Sequence, residues 1–114
     1  MTNRKIEKKS AAIKIKPVNE VYLVGRITSK SGEKKLPSGD LVNEFRVVVD
    51  RPGKTGSIDT IDIAAWKQTL RRRVDSLEIN SWVEVEGSVR RRFWQSPKGL
   101  ASRWQVEATE IRRL

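Results

Sequence analysis

The stretch Trp82-Val83-Glu84-Val85-Glu86-Gly87-Ser88-Val89-Arg90-Arg91-Arg92-Phe93-Trp94 alternates side-chain character with a period of two, and this commits it to a β-strand. Successive residues of a strand point to opposite faces. Val83, Val85 and Val89 therefore share one face, while Arg90, Arg92 and Trp94 share the other at steps of roughly 7 Å. A face fit for burial backs a face that interleaves cations with an indole. On the same phase Arg91 and Phe93 fall on the apolar side, so Phe93 is expected in the core.

The rest of the chain supplies partners for this strand. Val21, Leu23, Gly25 and Ile27 are in phase, giving a first strand from Asn19, followed by a turn-rich stretch from Ser29 to Asp40 that contains Pro37-Ser38-Gly39. Phe45, Val47 and Val49 mark a second strand. Arg51 to Ser57, with Pro52, Gly53 and Gly56, reads as a loop, and Ile58 to Trp66 as a third strand. Leu70, Val74 and Leu77 then recur at helical spacing, predicting a short helix over Lys67 to Leu77. The long alternating stretch is the fourth strand, Gln95 to Gly99 the turn after it, and Arg103 to Ile111 the fifth strand. Three strands, a helix and two strands match an all-β, five-stranded Greek-key barrel of the oligonucleotide-binding type, or OB-fold, whose helix lies between strands 3 and 4.

Composition bounds what such a barrel can do. The chain has 114 residues, enough for one small domain with a thin core, and self-association would help its stability. Lysines and arginines number 24 against 14 acidic residues, a net charge of +10 that favours a polyanionic partner, nucleic acid ahead of an anionic membrane surface. With no cysteine and no histidine, disulfides, thiolate metal sites and the commonest general base are excluded. No apolar run approaches the roughly 18 residues of a membrane span, so a cytoplasmic protein with no membrane partner is expected. Residues 1–17, with Arg4, Lys5, Lys8, Lys9, Lys14 and Lys16 against Glu7, read as a flexible basic tail, and residues 18–114 as the folded domain. That tail is either an arm that touches phosphates or simply a solvated end.

Guanidinium groups neutralise phosphates and an indole offers a flat surface to an unpaired base, so the Arg90, Arg92 and Trp94 face suits a single strand. Trp66 is in phase with Thr60, Asp62 and Ala64 and is expected to be exposed beside it. For Trp66 the alternative is packing against the helix start; for Trp94 it is packing on Trp104 or Leu100. Trp82 and Trp104 are read as structural. Arg46 shares the polar face of the second strand, and Lys54 and Lys98 occupy loop tips within reach of phosphates. Arg71, Arg72 and Arg73 read as the solvated back of the helix. No enzyme is expected, and no cofactor or metal. Asp59 and Asp62, three apart on a strand, face opposite ways, and Pro52-Gly53-Lys54-Thr55-Gly56-Ser57 lacks the spacing of a phosphate loop and its following helix.

Taken in order, Asn19-Glu20-Val21-Tyr22-Leu23-Val24-Gly25-Arg26-Ile27, Pro37-Ser38-Gly39, Phe45-Arg46-Val47, Ala64-Ala65-Trp66 and Val83-Glu84-Val85-Glu86-Gly87-Ser88-Val89-Arg90 resemble the bacterial single-stranded DNA-binding proteins. The resemblance runs from Asn19 to Leu114. It implies an OB barrel that binds and protects single-stranded DNA without sequence preference during replication, recombination and repair, as a homodimer or homotetramer. It also implies DNA contacts from Trp66 and from Arg90, Arg92 and Trp94. Two departures stand out: Thr60 occupies the place of a stacking aromatic, and the loop Arg51 to Ser57 has none. Family members usually continue into a linker and an acidic tip that recruits replication and repair proteins. Here the sequence ends Ile111-Arg112-Arg113-Leu114, which reads either as a truncated sequence or as a tailless paralogue. Replication and repair proteins stay among the expected partners, and only in a tailless paralogue would that recruitment route be lost. A primosome-type accessory barrel acting through protein docking and an RNA-binding barrel remain as alternatives.

Overall fold

The computed structural model describes residues 13–114. The expected basic tail therefore lies outside the described residues as far as residue 12, and residues 13–20 are exposed and without regular structure. Five strands and one helix follow in the expected order. They are β1 (Val21–Lys35), β2 (Leu41–Asp50), β3 (Ile58–Ala65), α1 (Gln68–Ser76), β4 (Trp82–Ser96) and β5 (Gly99–Arg113). The strands close into a barrel in the order β1-β2-β3-β5-β4. β1 makes closure possible by changing partners, its first half pairing with β4 and its second half with β2, with Arg26 paired on both sides. The seam between β3 and β5 is parallel and short, at Ile63 with Val106 and Ala64 with Glu107.

Ile27, Phe45, Val47, Ile63, Val83, Val85, Val106 and Ile111 fill the interior from all five strands, with Leu70, Val74 and Leu77 of the helix stripe packed into the same core. Glycine is required where strands approach closely. A Cβ on Gly25 would lie 2.3 Å from the Val48 carbonyl oxygen, and one on Gly87 would lie 2.1 Å from that of Glu107. Gly87 sits where the β4–β5 register shifts, so the small residue and the bulge coincide. At the other end of α1, the Lys30 ammonium donates to the carbonyls of Asp75 at 3.2 Å and Leu77 at 2.5 Å, placing a cation where helix carbonyls lack partners.

Two lengths differ from expectation. The polar stretch from Ser29 onward is strand as far as Lys35, leaving only residues 36–40 as a turn. Its serines and Gly32 lie where bulges interrupt pairing with β2, between Ile27 and Ser29 and between Lys30 and Glu33. Likewise β4 and β5 pair continuously out to Ser96 and Gly99. Beyond Val89 on β4 and Val106 on β5 the two strands pair, among the described residues, only with each other, forming an arm that projects past the barrel rim.

Candidate nucleic-acid interface

The arm presents two faces. Cross-strand partners share a face, so Arg90 with Gln105, Arg92 with Arg103 and Trp94 with Ala101 belong to one side, here called the groove side. It continues onto the polar face of β2 and β3, where Glu44 pairs with Ala64 and Arg46 with Asp62. Two connected hollows lie along it. One, of about 650 Å³, lies between residues 36–38 of the β1–β2 turn and the arm, and is lined by Arg92, Trp94 and Arg103. A smaller one, of about 230 Å³, reaches Arg46 and Asp62; Lys34, Glu44 and Arg103 line both.

Glu44 organises this surface. Its side chain is only 13% exposed, and its carboxylate meets Lys34 at 2.5 Å, Arg92 at 3.0 Å and Arg103 at 3.7 Å, while Gln105 donates to it at 3.0 Å. Burial pushes the Glu44 carboxyl up, but the bonds from Lys34 and Gln105 and the charges of Lys34 and Arg92 outweigh it and hold the carboxyl below its usual range. Asp62 plays a lesser part, bound by Arg46 at 2.7 Å and approached by Arg103 at 3.8 Å. Lys34, Arg46, Arg92 and Arg103 are thus held by carboxylates before any ligand arrives.

The aromatic members are fixed in the same manner. Trp66 follows the last residue of β3 rather than ending that strand, and is half-buried instead of fully exposed. The Arg92 guanidinium lies 5.4 Å from its ring centroid, so the fourth strand and the β3–α1 junction meet there. Trp94 is 40% exposed and has Arg103 over its ring at 5.8 Å. It does not pack on Trp104, which lies on the opposite face of the arm. Arg90 is exposed and forms no ion pair among the described residues. Lys98 is exposed at the arm tip. Lys54 stands apart in the β2–β3 connection, beyond Asp50 and so more than roughly 13 Å along β2 from Arg46 at the rise of a strand.

Several residues depart from their sequence roles. Phe93, expected in the core, is 56% exposed; Trp104, expected to be structural, is 61% exposed; Trp82 is exposed with Arg26 over its ring. Lys34, Glu44, Arg103 and Gln105 were not expected at the site. Arg103 could have been found by pairing β5 backward from the turn onto Arg92. Glu44 carries no such local signal, since its partners come from β1, β4 and β5.

The family model described as the single-strand binding protein family matches residues 18–114. The chain belongs to that family. Among curated relatives, "Single-stranded DNA-binding protein 3" of Listeria innocua is 31% identical over 98 residues, covering 82% of this chain and 59% of that protein. "Single-stranded DNA-binding protein" of Treponema pallidum is 28% identical over 102 residues, covering 85% and 58%. The chain thus spans about three-fifths of the length of these relatives. A solved SSB of Plasmodium falciparum in complex with ssDNA superposes with a TM-score of 0.67 at 22% identity, over 90% of this chain and 99% of that one, which establishes the shared barrel fold.

Proposed function

We propose that this member of the single-strand binding protein family coats single-stranded DNA without sequence preference and without catalysis, protecting it during replication, recombination and repair, and that it does so as a homo-oligomer. The observation that carries this reading is the groove side itself, where Trp66 and Trp94 each lie beneath an arginine in a surface lined by Arg46, Lys34, Arg92 and Arg103. Trp94 and Trp66 stack on bases, each stacked base contributing about 1 to 3 kcal/mol. Arg90, Arg92 and Arg46 hold phosphates, with Lys98 and, more remotely, Lys54 reaching the flanking backbone.

The carboxylates shape how this happens. Arg103 is held least tightly, at 3.7 and 3.8 Å, so it passes to a phosphate most readily. Arg46, bound to Asp62 at 2.7 Å, must exchange one anion for another and releases few counterions in doing so. Arg90, with no carboxylate to leave among the described residues, contributes more to the salt dependence. Stacking then sets the preference for single strands, because a duplex keeps its base faces covered.

Competition between an oligothymidine, the same length of duplex, and an RNA oligomer tests the proposal. The DNA single strand should win over both. Equal affinity for single strand and duplex would contradict stacking, and preference for RNA would move the protein to a different partner.

A further inference from the structure

The opposite side of the arm carries an aromatic and cationic surface of its own. Arg91 pairs with Trp104 and Phe93 with Ser102, so these four residues share the other phase of the hairpin, with Phe93 at the edge where it also lines the larger hollow. The Arg91 guanidinium lies between two rings, 5.3 Å from the centroid of Phe93 and 5.6 Å from that of Trp104. It is held by two bonds to the Ser102 hydroxyl, at 3.1 and 2.9 Å. Leu100 and Val89 extend the exposed apolar surface on either side.

We propose that this outer face is a second contact surface for the same single strand, so that a strand lying in the groove turns around the arm and is gripped on both sides. This rests on the function proposed above and extends it to residues on the other side of the hairpin. The charge balance is what selects the occupant. On the groove side every arginine but Arg90 is matched to Glu44 or Asp62, whereas Arg91 has only a neutral hydroxyl among the described residues. None of the arm residues on this face, 89, 91, 93 and 95 on β4 and 100, 102, 104 and 106 on β5, is acidic. A second copy of the chain packed here symmetrically would bury Arg91 near its own counterpart with no counter-charge, an unfavourable burial. A polyanion with flat bases supplies both what the guanidinium lacks and what the rings accept.

Because Phe93 and Trp104 are more than half exposed, truncating them should leave the fold intact, which circular dichroism melts will check. The deciding experiment titrates the whole chain with oligothymidines of about 6 and about 20 nucleotides, straddling the length that one such barrel occludes. Trp104→Ala should weaken binding of the long oligomer about tenfold and leave the short one within about twofold, while Trp94→Ala weakens both. Arg91→Gln should follow Trp104→Ala and lower the salt dependence for the long oligomer alone. Unchanged affinity for both lengths in both outer-face variants would overturn the proposal. So would a fall in molecular mass by light scattering with binding unaltered, which would assign the face to contacts between copies. If the unmodified protein bound neither length, the function itself would be wrong, and the outer face with it.

Discussion

The barrel half and the outboard half of the β4–β5 hairpin obey one alternation and end in opposite environments. Within the barrel the inward phase, Val83 and Val85 on β4 with Ala108 and Ile111 on β5, is buried. Past the rim the same phase continues through Val89, Phe93 and Trp104, and all three are exposed. Among the described residues no other strand pairs with the arm beyond the rim to cover them. A period of two tells which side of a sheet a residue occupies, and only the neighbouring elements decide whether that side is dry. In the outboard half, side chains with the composition of a core become a surface for a partner.

Stability should separate the two halves most strongly. Ile111→Ala in the barrel is expected to cost about 3 kcal/mol in urea unfolding, whereas Phe93→Ala in the arm should change stability by less than about 0.5 kcal/mol. Equal losses would mean that the arm carries core weight and would erase the contrast. A smaller effect sharpens the difference between compensated and free cations. Removing Arg90 should reduce the slope of log affinity against log salt by about 0.7, the value for one phosphate on a single strand, and removing Arg46 should reduce it by less. Smaller still is the acid response. Because the Glu44 carboxyl is held below its usual range in the folded protein, its contribution to stability is complete above about pH 4.3 and is lost as pH falls through the lower folded value. Glu44→Gln should therefore unfold with a shallower pH dependence in that window, measured as urea midpoints at stepped pH.

Much of this was legible in the sequence. Element order, the helix stripe of Leu70, Val74 and Leu77, and the shared face of Arg90, Arg92 and Trp94 all follow from local periodicity, which is a property of neighbouring residues. What escaped depended on register between strands distant in sequence. The Ser29–Lys35 segment looks like a loop because bulges and solvent exposure both select serine, lysine and glycine. Phe93 looked like core and Trp104 like a structural residue because phase is visible in a sequence and a barrel rim is not. Glu44 shows in the sequence only as a residue in phase with Arg46 on the second strand, and only closure of the barrel brings Lys34, Arg92, Arg103 and Gln105 onto it.

The central claim is that the groove side of the arm binds single strands by stacking, with charge as a separable contribution. Tryptophan-fluorescence titration of Trp94→Ala with oligothymidine at two salt concentrations tests this most directly. The account predicts affinity about tenfold weaker than that of the unmodified protein, with the salt slope nearly the same. Unchanged affinity, or a slope that falls as it does on removing Arg90, would contradict it.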